Sequence, residues 1–282
     1  MQRLELICSD AVLGMRSLEA QRFDAVVADP PYSSGGLHRG DRTGSIEAKY
    51  TSSRTKRQYR EFDGDTRDTR GMLAWCHLWM LECYRVAKPG AYFMTFCDWR
   101  QLPLMTDAIQ AAGFTWRGII PWNKGRGARA PHKGYYRHQC EYVVWGTRGH
   151  CAKAEHDGPG DGFHEFALAE ADHFNAAELV RASQAEAAAE ALAAVMPRLV
   201  DAKVSQREKI HATGKPRELY RELMRLVAPG GEVLDPFVGS ARSGEAALDL
   251  GLSFVGIDSD QYWLDDGLAR LGPILEARRH GA

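Results

Sequence analysis

Short apolar runs alternate with stretches of helical periodicity along the chain. Runs rich in β-branched and aromatic residues predict buried strands, and apolar residues spaced three and four apart predict amphipathic helices. The elements predicted in the first half are strand 3–8, helix 11–18, strand 23–28, a helix from residue 72, strand 91–97, helix 100–112, and strands 114–122 and 139–145. This alternation predicts an α/β fold with a mostly parallel sheet, crossover helices and a terminal hairpin.

The pattern is interrupted after the hairpin. Residues 149–175 are rich in Gly, Asp and His and predict a loop, whereas the Ala- and Glu-rich residues 176–196 predict a helix. The sheet pattern then resumes with helix 217–226, strand 232–234, helix 245–250 and strand 253–258. We therefore predict a single domain over residues 1–282, with residues 149–205 as an inserted helical segment.

Residues 33–70 form a second irregular stretch, in which Gly, Ser, Arg and Lys dominate and apolar periodicity is weak. A loop of this length within a compact domain is usually functional or disordered. This one is basic and carries Tyr50 and Tyr59. We predict a mobile loop that contacts nucleic acid, and a passive linker is the alternative.

The composition is typical of a globular protein. The chain has 282 residues, 44% of them hydrophobic and 26% charged, and its formal net charge is -1. It contains no apolar run of the roughly 20 residues that a membrane-spanning helix requires, and its start lacks the apolar core of a signal peptide. The six cysteines include no Cys-x-x-Cys pair. These features predict a cytoplasmic protein with reduced thiols, no metal site and no membrane association.

The small net charge conceals an uneven distribution. Residues 36–60 hold seven Lys and Arg against two acids, residues 117–139 hold six against none, and residues 151–201 hold three against ten. Such asymmetry suggests that a polyanion meets one face of the protein, although solvated loops are the alternative. The predicted nucleic-acid-binding residues are Arg39, Arg42, Lys49, Arg54, Lys56, Arg57, Lys124, Arg126, Arg129, Lys133 and Arg137, with Trp122, Tyr135 and Tyr136 nearby for stacking.

The strand at 23–28 runs into Asp29, Pro30, Pro31 and Tyr32. Two consecutive prolines cannot continue a strand ladder, so the strand ends there. In open α/β sheets, ligands bind in the crevice beyond the carboxyl ends of the strands. The turn that ends the strand presents a carboxylate, free carbonyls and an aromatic ring to this crevice. Together these groups could hold a planar amine. An ordinary Asp-Pro turn is the alternative interpretation.

The last sheet unit combines a glycine-containing turn with a carboxylate at the end of the next strand. Gly239 allows a ligand to approach the backbone at the start of a helix, and Asp258 is placed to accept from ribose hydroxyls. The unit lacks Gly-x-Gly-x-x-Gly and a Walker lysine. A nucleoside cofactor without phosphates, such as S-adenosylmethionine, therefore fits better than a dinucleotide.

Three motifs together resemble those of the amino-group DNA methyltransferases, which modify adenine N6 or cytosine N4. They are Asp29-Pro30-Pro31-Tyr32, the His-x-Thr-x-Lys-Pro at 211–216, and the Asp-Pro-Phe-x-Gly-Ser at 235–240. Their order resembles the β arrangement, in which the catalytic motif precedes the cofactor motif. The resemblance covers most of residues 1–146 and 205–270. It implies a circularly permuted, Rossmann-like methyltransferase fold that binds S-adenosylmethionine.

The resemblance also implies roles for individual residues. The catalytic residues would be Asp29, Pro30, Pro31 and Tyr32, which hold the extruded base. The cofactor-binding residues would be Asp10, His211, Thr213, Lys215, Asp235, Pro236, Phe237, Gly239, Ser240 and Asp258, with residues 211–215 near the methionine end. For Asp235 and Thr213, a turn or a helix cap is the alternative.

This chain departs from the family pattern at three places. Ala241, Arg242 and Ser243 stand where the family usually has Gly-Thr-Thr. Ala212 and Gly214 replace a usual Pro and Gln. The segment after the hairpin, where the family usually carries target recognition, is acidic here, so we predict recognition by the two basic loops.

We predict a site-specific adenine-N6 DNA methyltransferase that flips its base out of double-stranded DNA. In the family, aspartate at the first motif position favours adenine N6 as the target. Methylation of cytosine N4 is the alternative. Two rival functions are a non-catalytic DNA-binding regulatory protein on the same scaffold, and a methyltransferase of RNA or protein glutamine. The resemblance implies a cytoplasmic protein of bacterial or phage type. It also implies that the chain could form a homodimer and could have a cognate restriction endonuclease as a partner.

Overall fold

A computed structural model describes residues 2–33, 67–124, 134, 136, 138–151, 164–165 and 214–280. Within these ranges the strands are β1 (Leu4–Cys8), β2 (Phe23–Ala28), β3 (Ala87–Cys97), β4 (Thr115–Asn123), β5 (Cys140–Thr147), β6 (His164–Glu165), β7 (Glu232–Asp235) and β8 (Ser253–Asp258). The helices are α1 (Ala11–Arg16), α2 (Thr69–Val86), α3 (Leu102–Ala111), α4 (Arg217–Met224), α5 (Arg242–Asp249) and α6 (Gln261–His280).

The strands form one sheet in the order β1-β8-β7-β2-β3-β5-β4-β6. The first five strands of this order are parallel to one another. Strand β5 runs antiparallel to both β3 and β4. The predicted parallel sheet with a closing hairpin is confirmed.

Apolar side chains cover both faces of this sheet. Helices α1, α2 and α3 pack on one face, and α4, α5 and α6 pack on the other. Strand β2 supplies Phe23, Val26 and Ala28 to the first face, and Ala25 and Val27 to the second. A strand covered on both faces is expected to be apolar throughout, which explains why β2 was recognisable from its sequence.

Three elements differ from the sequence-based prediction. The two-residue strand β6 pairs in parallel with Trp122 and Asn123, although residues 149–175 were predicted to be loop. Strand β3 begins at Ala87, ahead of the predicted start at residue 91. Helix α6 was not predicted, and it contains Pro273. The predicted helix at 176–196 lies outside the described residues, as does most of the predicted loop at 33–70.

The ends of the strands form two opposite edges of the sheet. At the edge that we call the carboxyl edge, parallel strands end in Ala28, Asp235 and Asp258. Because β5 is antiparallel, its first residues lie at this same edge, with Tyr142 opposite Cys97. The opposite edge, where the parallel strands begin, is called the amino edge. Among the described residues, no helix is both long enough and apolar enough to cross a membrane.

Candidate active site

Asp29 follows β2 directly, so its carboxylate lies at the carboxyl edge. Neither Pro30 nor Pro31 has an N–H to continue the ladder, which fixes the end of the strand at this point. The turn ends at Ser33, whose hydroxyl accepts a hydrogen bond from the Arg67 backbone N–H at 3.2 Å. The side chain of Asp29 is 16% exposed, so a carboxylate is held largely away from water.

Lys215 reaches Asp29 from the segment before α4. Its Nζ lies 2.9 Å from each carboxylate oxygen of Asp29, and its side chain is only 2% exposed. Pro216 is the N-cap residue of α4, which places Lys215 immediately before the first turn of that helix. The resemblance assigns Lys215 to the methionine end of the cofactor, and the structure adds a direct contact with the Asp29 carboxylate.

Tyr32 covers this ion pair. Its hydroxyl donates to Asp29 Oδ1 at 2.8 Å and lies 3.4 Å from Glu141 Oε2. The Lys215 ammonium lies 5.1 Å from the centroid of the Tyr32 ring and 5.3 Å from that of Phe96. The ammonium is thus enclosed by two aromatic rings and the Asp29 carboxylate.

Glu141 is a site residue that the sequence analysis missed. It is the second residue of β5, and its Oε2 lies 3.4 Å from Lys215 Nζ. Its other oxygen accepts a hydrogen bond from Lys124 Nζ. A signal was present, because Glu141 is the one acid in an otherwise apolar strand that follows a basic loop. Its relevance required knowing that β5 is antiparallel.

The ionisation of Asp29, Glu141 and Lys215 is mutually dependent. Burial raises the pKa of Asp29, and the Lys215 ammonium opposes that rise. Burial also acts to raise the pKa of Glu141, but the ammonium groups of Lys215 and Lys124 outweigh it and hold this pKa at about 2. For Lys215, burial favours the neutral amine, yet Asp29 and Glu141 raise its pKa overall. Glu141 and Lys215 are therefore both charged at neutral pH.

The turn after β7 is organised by Asp235. This carboxylate is 1% exposed and accepts hydrogen bonds from Phe237 N at 2.9 Å and from Ser243 Oγ at 2.5 Å. Burial raises the pKa of Asp235 to about 7, and the two donors oppose the rise. Its contacts lie within the turn, which fits the turn alternative considered for this residue. Asp235 therefore holds the backbone of this turn in place.

Asp258 ends β8 and faces the same turn. Its two oxygens accept from Gly239 N and Asp260 N, both at 2.9 Å. Gly239 has a φ of +43°, a conformation that favours glycine. Burial raises the pKa of Asp258, and these backbone donors oppose the rise. The predicted pairing of a glycine-containing turn with a strand-end carboxylate is thus present in the structure.

Three other predicted cofactor residues make contacts within the protein. Asp10 is exposed and caps α1 by accepting from Val12 N at 2.9 Å and Leu13 N at 3.2 Å. Phe237, which follows Pro236, packs edge-on against Trp79 of α2 with ring centroids 5.2 Å apart. Ser240 is buried, and its carbonyl accepts a hydrogen bond from Arg270.

The first of the three departures covers Ala241, Arg242 and Ser243, and the structure shows what each residue does there. Ala241 adopts a left-handed conformation with φ 55° and ψ 27° at the N-cap of α5. Arg242 forms an ion pair with Glu245 at 2.7 Å. Ser243 supplies the hydroxyl that binds Asp235. The serine therefore keeps a donor for the buried carboxylate, whereas Ala241 places a side chain in a conformation that favours glycine.

Much of the predicted nucleic-acid interface lies outside the described residues. This applies to Arg39, Arg42, Lys49, Arg54, Lys56, Arg57, Arg126, Arg129, Lys133 and Arg137, and also to His211 and Thr213. Lys124 is described and pairs with Glu141. Trp122, which we expected to stack on nucleic acid, is 5% exposed and packs in the core, so that expectation was wrong. Tyr136 is highly exposed.

Comparison with known proteins agrees with this arrangement. The Type II methyltransferase M.HinfI of Haemophilus influenzae is 24% identical over 277 residues, which cover 95% of this chain and 68% of that protein. The M1.HpyAVI-SAM complex shares the fold with a TM-score of 0.60 at 16% identity, over 95% of this chain and 98% of that one. The cytosine-N4-specific PvuII DNA methyltransferase also has a TM-score of 0.60, at 12% identity, over 98% and 92%.

The family model described as DNA methylase, for the N6 and N4 type, matches residues 23–268. This range contains the Asp29 turn, the hairpin with Glu141 and the turn from Asp235 to Ser243. The β arrangement is a finer assignment that stays a prediction. The chain belongs to the N6/N4 family of DNA methylases.

Proposed function

We propose that this DNA methyltransferase transfers a methyl group from S-adenosylmethionine to the N6 amine of an adenine flipped out of double-stranded DNA. The observation that carries the proposal is the largely buried Asp29 carboxylate at the carboxyl edge, beside Tyr32 and on a turn of two prolines. The turn leaves carbonyls without a strand partner, and these can accept hydrogen bonds from an amine. The adenine preference follows from aspartate at the first motif position.

The turn after β7 fits S-adenosylmethionine. A carboxylate offers about four acceptor positions, and Gly239 and Asp260 use two of those on Asp258. The remaining positions can accept from ribose hydroxyls. Gly239 carries no side chain, and among the described residues a Cβ added there would meet only the Phe237 carbonyl, at 3.9 Å, so this part of the chain leaves space beside the backbone. When bound, the cofactor supplies a methyl group activated by its positively charged sulfur.

The chain contributes positioning and electrostatics to the transfer. An exocyclic amine donates its lone pair into the ring and is a weak nucleophile. Asp29 and the Pro30 carbonyl accept its two N–H groups and favour a geometry in which the lone pair points at the methyl group. Positive charge develops on the nitrogen in the transition state, and the Asp29 carboxylate would stabilise it. The methylated nitrogen would then lose one proton to water, and the cofactor would leave as a neutral thioether. No covalent intermediate on the protein is required.

The test is methyl transfer to DNA that lacks prior methylation. The protein is incubated with labelled S-adenosylmethionine, and the digested nucleosides are separated. We expect N6-methyladenine from the wild type, and a loss of about 100- to 1000-fold in kcat for Asp29→Ala. Asp24→Ala is the matched control, because Asp24 lies at the other end of the same strand and should retain activity.

The outcomes separate the competing functions. N4-methylcytosine would change the target base and leave the Asp29 mechanism standing. Transfer to RNA or protein alone would overturn the DNA assignment. Absence of both methylation and cofactor binding would favour a non-catalytic DNA-binding protein on this scaffold.

A further inference from the structure

Asp29 and Lys215 form an adjacent hydrogen-bond acceptor and donor. The two carboxylate oxygens lie 2.9 Å from the Lys215 nitrogen, so the acceptor and the donor stand side by side. Both groups are largely buried, with side chains 16% and 2% exposed. A ligand that bound this pair would need a hydrogen-bond donor and an acceptor side by side on one edge.

The bases that carry an exocyclic amine present this complementary pattern. In adenine, the N6 amine is a donor and lies next to N1, which is an acceptor. In cytosine, the N4 amine lies next to the N3 acceptor in the same way. Guanine and thymine present the reverse order on this edge, a carbonyl next to a ring N–H. Enzymes that flip a base can read this edge through hydrogen bonds.

We propose that Lys215 determines base specificity by donating a hydrogen bond to the ring nitrogen next to the target amine, while Asp29 accepts from the amine. The inference rests on the proposed function and deepens it, because it names the second group that the site recognises. For adenine the recognised atom is N1, and for cytosine it is N3. The ammonium would face the ring N–H of guanine or thymine, and two donors cannot bond to each other.

Lys215 has enough N–H groups to bond to the base and to Asp29 at the same time. An ammonium has three N–H groups, and those directed at the two Asp29 oxygens make contacts of 2.9 Å. When the amine of the base donates to one Asp29 oxygen, it replaces a lysine N–H there. The displaced N–H can then turn to the ring nitrogen beside the amine. The bond that the lysine gives up is thus replaced by one from the base amine.

Glu141 is a positioning residue in this arrangement. Its Oε2 lies 3.4 Å from Lys215 Nζ, on a different strand from Asp29. It therefore attracts the ammonium when Asp29 bonds to the base amine. Lys124 binds the other oxygen of Glu141, so the four side chains carry two charges of each sign.

One side chain covers both recognition groups. Tyr32 donates to Asp29 Oδ1 at 2.8 Å, and its ring centroid lies 5.1 Å from Lys215 Nζ. A rotation of Tyr32 away from Asp29 would uncover the acceptor and the donor together. The same rotation would place an aromatic ring where it can stack on the incoming base.

The test replaces the ring nitrogen and the lysine in turn. The methylated position is first located in unmodified DNA, and oligonucleotides are then made with 1-deazaadenine or 7-deazaadenine at that position. The 1-deaza base keeps the amine but lacks the acceptor, whereas the 7-deaza base changes an atom on another edge. For the wild type we expect kcat/KM to be about 10- to 100-fold lower on the 1-deaza than on the 7-deaza substrate.

Lys215→Met should remove this discrimination, giving similar kcat/KM on the two substrates. Lys88→Met is the matched control, since Lys88 also binds both oxygens of an aspartate, at 2.8 Å, and lies at the amino edge. Lys88→Met should discriminate between the 1-deaza and 7-deaza substrates as the wild type does. If Lys215→Met lacks the native circular dichroism spectrum, the comparison of the two deaza substrates with the wild type decides the test by itself.

Two results would overturn the inference. One is equal kcat/KM of the wild type on the two deaza substrates, and the other is discrimination that persists without Lys215. Both are distinct from failure of the proposed function, in which the wild type forms no methylated base in unmodified DNA. If the product is methylcytosine, 3-deazacytosine serves as the probe with the same expected pattern.

Discussion

Two lysine–aspartate pairs stand at opposite ends of strand β2. At the amino edge, Lys88 Nζ lies 2.8 Å from both oxygens of Asp24, and the two side chains are 43% and 28% exposed. At the carboxyl edge, Lys215 Nζ lies 2.9 Å from both oxygens of Asp29, with side chains 2% and 16% exposed. The hydrogen-bond geometry is nearly the same, and the exposure to water differs greatly.

The difference in exposure changes what each pair contributes. Water screens the pair at the amino edge, so removing one partner there is expected to cost little. Asp24 also accepts from Glu232 N at 2.9 Å, which joins it to the beginning of β7. The pair at the carboxyl edge is costly to desolvate, and a buried charge left without its partner is strongly destabilising. We infer that each partner of the carboxyl-edge pair needs the other to neutralise its charge, whereas either partner of the amino-edge pair can be lost at little cost.

The largest expected effect is on stability when each lysine is removed. Lys215→Met leaves Asp29 and Glu141 close together without the ammonium between them. We expect the free energy of unfolding to fall by about 3–5 kcal/mol. For Lys88→Met we expect about 0–1 kcal/mol. Urea denaturation at neutral pH measures both values.

A control separates charge from packing. Asp29→Asn keeps the size of the side chain and leaves Lys215 beside Glu141, so it should cost less than Lys215→Met. Equal losses for Lys215→Met and Lys88→Met would contradict the comparison, because burial would then not distinguish the two edges.

The sequence allowed the main elements to be predicted because their signals are local. Strand β2 is a continuous apolar run, and two prolines end it. The contact between Lys215 and Asp29 could not be predicted in the same way. These residues are 186 positions apart, and the order of strands in the sheet brings them together.

Glu141 and α6 illustrate two other limits. Glu141 reaches the site because β5 is antiparallel, and one acid in a strand does not reveal the direction of that strand. Helix α6 contains Pro273, which normally argues against a helix interior, and packing of Leu264, Leu271 and Leu275 on the sheet outweighs that preference.

The second prediction concerns pH and the buried Asp235. Burial raises its pKa to about 7 from 3.8, so the folded chain binds this proton more tightly than the unfolded chain does. The contribution of Asp235 to stability is therefore fullest below pH 3.8 and is lost as the pH rises through 7. Between pH 5 and pH 8 the loss should be about 3 kcal/mol relative to Asp235→Asn, whose side chain does not titrate.

Ser243→Ala should make this slope steeper. Its hydroxyl donates to Asp235 at 2.5 Å and favours the charged form. Without that donor, deprotonation costs more, and the stability lost between pH 5 and pH 8 should exceed that of the wild type. Urea denaturation at the two pH values measures each slope. A wild-type slope equal to that of Asp235→Asn would show that the proton is not held at the carboxyl edge.

The smallest expected effect concerns backbone strain at the carboxyl edge. Ala241 is buried and has a φ of 55°, a left-handed conformation that costs about 1–2 kcal/mol for a residue with a side chain. Ala241→Gly relieves this strain but loses a buried methyl group and adds freedom to the unfolded chain. Ala246→Gly, within α5 and equally buried, incurs both losses without relieving strain. We therefore expect Ala246→Gly to be more destabilising by about 1–2 kcal/mol, as measured by thermal or urea unfolding. Equal values would mean that this edge stores no strain at Ala241, and that its distinction from the amino edge rests on its buried charges.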